Sequence, residues 1–232
     1  MKLEVRGVDY KYEYANKQAL TGINFSISSN EKIALLGANG CGKTTLLKVL
    51  CGLLAPSKGQ ILLDNNPVKP TPSFDFLVGF VPETPEEMFF ESTVQREIEF
   101  ILRKKKETEI EEKVRDIMLE FDLYKLKDNS PFEISGGEKR KLSIAAVAVA
   151  EQPFIFLDEP ISGLDLSGIK MVENWITKTN TGLIATTHRT DFARTFDKIV
   201  LMNDGHILNY NLDLDRDIEV LEKASVMLLR RQ

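Results

Sequence analysis

The stretch KIALLGANGCGKTTLLKVL, Lys32 to Leu50, decides how the chain is read. Its first five residues are a short apolar run that stops at glycine, which reads as a buried strand, and its last eight have helical spacing. Between them GANGCGKT, Gly37 to Thr44, matches G-x-x-x-x-G-K-[ST]. A strand before that pattern and a helix after it is the context in which it makes a phosphate-binding loop. Glycines let backbone N–H groups converge on a phosphate, and the helix N-terminus adds positive potential. Lys43 would neutralise β- and γ-phosphates and the Thr44 hydroxyl would take a place on Mg²⁺. The residues expected to contact nucleotide here are Gly37, Asn39, Gly40, Cys41, Gly42, Lys43, Thr44 and Thr45.

Outward from this stretch, KLEVRGV and INFSIS alternate as strands, and KTTLLKVLCGLL, Lys43 to Leu54, is expected as one helix. GQILLD is a return strand bounded by Lys58-Gly59 and Asn65-Asn66. From Ser92 to Gln152 the pattern is helical. Val94, Ile98, Ile101 and Leu102 make one apolar stripe, Ile110, Val114, Ile117, Met118 and Phe121 a second, and Leu142 to Val149 a third. After Pro153 the strands return as FIFLD, GLIATTH, KIVLM and HILNY, the last two flanking an Asp204-Gly205 turn. Strands that are unbroken apolar runs belong to a sheet covered on both faces. The fold class expected is therefore α/β, with residues 1–86 and 153–232 as the core and 87–152 as an inserted helical subdomain.

The bulk composition narrows the function classes. The 232 residues are 43% hydrophobic and 28% charged, which is globular. Thirty basic against thirty-five acidic side chains give a net charge of −5, an unfavourable balance for binding nucleic acid through its phosphates. The run Arg103-Lys104-Lys105-Lys106 is followed at once by Glu107, Glu109, Glu111 and Glu112, so a solvated helix end is expected there. Cys41 and Cys51 are about 15 Å apart at helical rise, beyond disulfide reach, which suits a reducing compartment. No apolar run approaches the roughly 20 residues of a membrane helix, and MKLEVRGVDYKY lacks the apolar core of a signal peptide.

FIFLDEP, Phe154 to Pro160, runs four apolar residues into two carboxylates and so delivers acids to the C-terminal edge of a sheet, where open α/β folds bind ligands. Asp158 is the natural Mg²⁺ partner and Glu159 the group to polarise a water. His188 ends GLIATTH at a similar edge and is placed to meet a γ-phosphate.

The order of these segments is recognisable. Phosphate loop, helical insertion ending in ISGGEKRK, FIFLDEP, SGLD at Ser162 to Asp165 and TTH closing at His188 resemble the nucleotide-binding subunits of ATP-binding cassette (ABC) transporters over nearly the whole chain to about Leu208. The resemblance implies a P-loop NTPase core of RecA-like type with an N-terminal antiparallel β subdomain, ATP and Mg²⁺ as cofactors, and ATPase activity in a dimer. It makes Ser135, Gly136 and Gly137 a signature motif that contacts ATP held by a second subunit, although Ser135 to Glu138 is equally a capping box. Asp165 would couple the two sites and His188 would sense the γ-phosphate. Tyr12 sits where the family places an aromatic on adenine, with Tyr10 and Tyr14 as alternatives.

VGFVPETPEEMFFESTVQREIEF, Val78 to Phe100, is similar to the energy-coupling factor and cobalt-type importer ATPases, sharing Val78, Gly79, Val81, Pro85, Phe90, Thr93 and Val94. That resemblance implies uptake of a vitamin or transition metal, with a second ATPase subunit, an integral membrane coupling protein and a substrate-binding membrane subunit as partners at the cytoplasmic face. The family's glutamine is replaced by Glu83, which would either ligate Mg²⁺ or face solvent. Phe89 and Phe90 are expected either to form a groove for a coupling helix or to anchor their loop. The tail LDLDRDIEVLEKASVMLLRRQ has room for one helix with a stripe of Ile218, Leu221, Ala224 and Leu228, docked or at a dimer contact. A generic transporter ATPase and a soluble ABC ATPase outside transport are the alternatives.

Overall fold

The protein is described from a computed structural model that covers residues 1–68, 77–217 and 221. Two sheets organise it. Strands β1 (Lys2–Tyr10), β2 (Leu20–Ser28), β4 (Lys58–Leu63) and β5 (Asn66–Pro67) form an antiparallel sheet in the order β2-β1-β4-β5. The second sheet has the order β10-β9-β3-β8-β7-β6, from β10 (His206–Asn209), β9 (Lys198–Asn203), β3 (Lys32–Leu36), β8 (Gly182–Thr187), β7 (Phe154–Leu157) and β6 (Val78–Val81). Its strands pair in parallel except β10, which returns antiparallel through Asp204 and Gly205, both at positive φ as a two-residue hairpin turn requires.

Side-chain alternation on the second sheet sorts its residues onto two cores. Ile33, Leu35, Phe154, Phe156, Ile184, Val200 and Met202 face the antiparallel sheet and helix α1 (Lys43–Leu50). Ala34, Leu36, Ile155, Leu157, Leu183, Ala185, Ile199 and Leu201 face the other way, onto α4 (Gly136–Ala148), α5 (Leu166–Lys178) and α6 (Thr190–Ala193). Both faces are thus covered, which is why these strands carry no polar alternation.

Helices α2 (Val94–Lys105), α3 (Ile110–Glu120) and α4 lie between β6 and β7 in sequence. They pack through Val94, Ile98, Leu102, Val114, Met118 and Phe121, and the Phe121 ring meets Trp175 of α5 with centroids 5.9 Å apart. Thr93 caps α2 by accepting from the Arg96 N–H. Arg103, Lys104 and Lys106 of the basic run at its end are exposed, the solvated helix end expected, and Lys105 is partly buried. Lys105 Nζ donates to the Ala150 carbonyl at 2.7 Å and Arg103 pairs with Glu91 at 2.6 Å, so cations sit at a helix C-terminus where the macrodipole favours them.

Helix α1 stops at Leu50, four residues before the Leu54 expected from the apolar spacing. Gly52 has φ +74, and the Leu53 and Leu54 N–H groups turn back onto the Lys48 carbonyl, a glycine-terminated helix end. The tail helix expected through Ile218, Ala224 and Leu228 lies outside the described residues. Leu221 is described, is buried in the core beneath the second sheet, and donates its N–H to the Asp217 carbonyl. Among the described residues no helix is long and apolar enough to cross a membrane.

Candidate functional site

Four segments singled out in the sequence leave the carboxyl ends of four parallel strands: Gly37 after β3, Asp158 after β7, His188 after β8 and, two residues past β6, Glu83. Parallel pairing of β3, β8, β7 and β6 brings them to one edge.

The loop after β3 is shaped by this chain's own atoms. A Cβ on Gly37 would lie 2.4 Å from the Met202 carbonyl oxygen, and one on Gly42, at φ +107, would lie 2.6 Å from that of Ala19. Side chains are excluded at both positions, and α1 begins directly after Gly42 with no acidic residue in its first turn. Lys43 is buried, and its Nζ donates to the carbonyls of Gly37 at 2.8 Å and Ala38 at 3.1 Å. Cys41 is buried in the loop and its thiol is pushed up by that burial; both cysteines are free, as their spacing predicts.

Asp158 and Glu159 are both buried at the end of β7. The Thr186 hydroxyl binds both: it donates to Asp158 Oδ1 at 2.6 Å and accepts from the Glu159 N–H at 2.9 Å. Glu159 is held at φ +47, a left-handed backbone uncommon for a residue with a side chain. Its Oε1 lies 3.2 Å from His188 Nδ1. Burial pushes the Glu159 carboxyl above the ordinary carboxylate range, while the His188 contact and Lys43 pull it back.

A cavity of 440 Å³ opens at this edge, with Lys43, Thr44, Glu83, Asp158 and Glu159 on its wall. Tyr12, not Tyr10 or Tyr14, is the tyrosine that lines it. The Tyr12 hydroxyl is 3.1 Å from Thr45 Oγ1 and the Tyr10 ring packs edge-on at 5.0 Å, whereas Tyr14 is 93% exposed. Asn39, Gly40, Gly42 and Thr45 complete the loop side, and Ala19 the rim. Thr44, Glu83 and Asp158 supply the hard oxygen donors that a small divalent cation takes. Among the described residues no three acidic, histidine or cysteine side chains converge as a metal cluster, so those donors fit Mg²⁺ only as a set shared with phosphate oxygens. The Glu83 side chain is exposed to solvent at the cavity wall, so facing solvent and lining the site are not exclusive.

Ser135, Gly136, Gly137 and Asp165 do not line this cavity. Ser135 and Glu138 form the reciprocal capping box: Glu138 Oε2 accepts from the Ser135 N–H at 2.7 Å and Ser135 Oγ from the Glu138 N–H at 3.4 Å. Capping accounts for Ser135 and Glu138 but not for the glycines. A Cβ on Gly136 would meet nothing within 4 Å, one on Gly137 nothing closer than 3.7 Å, and neither residue has positive φ. Asp165 caps α5, its Oδ1 accepting from the Gly168 N–H at 2.7 Å. Phe89 and Phe90 part company: Phe89 is buried against the core, and Phe90 is 59% exposed with its ring edge-on to Phe100 at 4.5 Å.

Two residues of the site were not anticipated from the sequence. Thr186 interrupts the apolar run GLIATTH, a polar residue inside a buried strand, and that interruption is its only local signal. Arg140 is 4% exposed in α4, and its two terminal nitrogens donate to the carbonyls of Pro82 and Glu83. It lies in the charged run Glu138 to Lys141, where nothing in the sequence marks it out from its neighbours.

Comparison with known proteins bears on the family and the fold. The sequence pattern of the family described as ABC transporter matches residues 20–162. A Pyrococcus abyssi protein named as an ABC transporter ATP-binding protein is 37% identical over 213 residues, covering 88% of this chain and 81% of its own length. The energy-coupling factor transporter ATP-binding protein EcfA of Methanocaldococcus jannaschii is 31% identical over 236 residues, covering 96% and 84%. Among solved structures, cbiO1 of Clostridium perfringens, part of the ABC transporter complex cbiONQ, superposes with a TM-score of 0.79 at 30% identity, covering 97% of this chain and 95% of that one.

Proposed function

This chain belongs to the ABC transporter family as an ATPase subunit, and on that premise we propose that it drives an importer of energy-coupling factor type, taking up a vitamin or transition-metal ion. The similarity to EcfA and to cbiO1 supports the importer class. The Pyrococcus relative, at higher identity, carries only the general name of an ABC transporter ATP-binding protein, which fits a second reading as a generic importer or exporter ATPase equally well.

The observation that carries the dimer in this proposal is the pair Gly136 and Gly137. Among the described residues nothing requires their missing side chains, and glycine disfavours a helix relative to alanine, by up to about 1 kcal/mol in its interior. Space kept open at a helix N-terminus suits a phosphate brought by a second ATPase subunit, either another copy or a similar chain. Residues 1–86 and 153–232 then act as the ATP-binding core and 87–152 as the inserted unit that presents the signature. Exposed Phe90, with Phe132 and Tyr124 also exposed on the insert, suits contact with an integral membrane coupling protein, which in turn holds the substrate-binding subunit. The chain would work at the cytoplasmic face of a membrane.

At the catalytic edge the loop N–H groups and the α1 N-terminus bind the phosphates of ATP, and Lys43 exchanges its loop carbonyls for phosphate oxygens. Tyr12 stacks on the base. Thr44, Asp158 and Glu83 would hold Mg²⁺, which when bound would offset the charge of the triphosphate. Glu159, with its carboxyl raised by burial, accepts the proton of the attacking water more readily than an ordinary carboxylate does. Thr186 fixes both acids, and His188 holds the Glu159 side chain and reaches for the γ-phosphate. Asp165, at the head of α5, would report on the second site.

The test is to tag the chain in its own host, solubilise membranes in detergent and weigh the recovered complex by native mass spectrometry. A second cassette ATPase with one or two small integral membrane proteins is expected. Recovery of soluble protein alone, from a preparation that keeps other membrane complexes intact, would remove the transport assignment and leave the ATPase.

A further inference from the structure

Arg140 is not explained by the catalytic edge or by the signature. It lies one turn into α4, is 4% exposed, and makes no hydrogen bond to a carboxylate among the described residues. Its guanidinium fork is spent on two successive carbonyls of another segment, Pro82 at 2.9 Å and Glu83, and its Nε, buried, has no acceptor among the described residues. A buried cation so incompletely satisfied is unfavourable for the fold, and an apolar side chain of that size would fill the space at lower cost.

What surrounds the cation supplies a reason for it. The charges that act on Arg140 are, from strongest to weakest, the carboxylates of Glu83, Asp158, Glu86 and Glu159; they oppose the burial that pulls the guanidinium down. Three of the four belong to the nucleotide cavity or its rim. The neighbouring Lys139 pairs with Glu86 at 3.0 Å, so α4 grips the segment after β6 at both ends of residues 82–86. Holding two adjacent carbonyls fixes the peptide plane from which the Glu83 side chain leaves, and only a planar fork does this with one group.

We propose that Arg140 is the positioning residue for Glu83: it fixes the backbone that aims this carboxylate at the nucleotide cavity and offsets the negative charge the carboxylate adds there. The proposal rests on the reading of that cavity as a Mg²⁺·ATP site. An amide at position 83 would carry no charge to offset, so the two residues form a functional pair. Arg140 does not line the nucleotide cavity, so its part in this pair is played through Glu83.

The pair is tested by a double-mutant cycle on the full chain, with Mg²⁺·ATP affinity read by isothermal titration calorimetry and folding by thermal melting without nucleotide. Arg140→Gln is expected to weaken Mg²⁺·ATP binding about tenfold, and Glu83→Gln in the same chain to restore most of that loss, a coupling of at least about threefold. Arg140→Lys, which keeps the charge and loses the fork, should bind within about threefold of wild type yet hydrolyse more slowly, separating charge from positioning. Additive effects in a wild type that binds Mg²⁺·ATP would overturn the pairing while leaving the nucleotide site intact. A wild type that binds no Mg²⁺·ATP would overturn the reading of the cavity itself. If Arg140→Gln fails to fold, the cycle of Arg140→Lys with Glu83→Gln is read in its place on hydrolysis, where loss of the fork is expected to act, and additivity there overturns the proposal equally.

Discussion

A methyl group placed on Gly42 would lie 2.6 Å from the Ala19 carbonyl oxygen, whereas one placed on Gly136 would meet no atom within 4 Å. Both glycines stand at the N-terminus of a helix, and in the sequence they look alike. The phosphate loop is closed by its own chain: Met202, Ala19 and the backbone turn at Gly42 leave no room for a side chain. The start of α4 is left open by the described residues. On the proposed function, the contrast separates a phosphate loop that one chain completes from a helix start that leaves space for a second molecule.

The complete half should carry the chemistry. Glu159→Gln keeps the hydrogen bonds of the site and removes the proton acceptor, so phosphate release is expected to fall by about 10²–10⁴-fold while ATP still binds. Measuring both on one preparation checks the division. Loss of binding together with hydrolysis would mean that Glu159 builds the cavity rather than acting within it.

Next in size is the packing itself. Gly42→Ala combines a collision with strained backbone, and a loss of about 2–5 kcal/mol is expected, read as a fall of roughly 5–15 °C in melting temperature. Gly136→Ala is the sharpest contrast. It should leave the melting temperature unchanged or raise it by up to about 3 °C, because alanine favours the helix. Yet hydrolysis should fall about tenfold, which is 1.4 kcal/mol of transition-state stabilisation, and ATP-driven association, followed by light scattering, should weaken with it. A mutant with normal hydrolysis would break the comparison at its root.

The same contrast explains what could be read in advance. The phosphate loop is legible because its demands are local: glycines, lysine and threonine at fixed spacing between a strand and a helix. The apolar runs likewise foretold a sheet covered on both faces. Thr186 was hidden because its role depends on the parallel register of β7 with β8, which sets Leu157 beside Ala185 and so Asp158 beside Thr186; spacing along one strand does not state that. Arg140 was hidden for the same reason, since its partners lie 57 and 58 residues away. The length of α1 was misjudged because apolar spacing continues past Gly52, where the backbone does not. Which tyrosine faces the cavity was settled by packing after β1, where Tyr10 props Tyr12 from the side.

The smallest effect tests whether the cap of α4 and its glycines have separate duties. The Glu138 carboxyl is held below the ordinary value of 4.5, first by the Ser135 hydroxyl and then by the Ser135 N–H. A carboxyl with a lowered folded pKa contributes stability that is complete above the unfolded value and is lost as pH falls through the folded one. Glu138→Gln should therefore cost about 0.5 kcal/mol at pH 7, about 1–2 °C in melting temperature. The gap to wild type should hold from pH 8 to about 5, shrink as pH falls below 4.5, and close once pH has passed through the lowered folded value and both chains carry a neutral group. Hydrolysis at pH 7 should stay within about twofold of wild type, because the cap holds the helix end while the glycines leave it open. If Glu138→Gln instead costs as much activity as Gly136→Ala, the external demand falls on the whole first turn, and the space beside Gly136 is only a part of what the second molecule needs.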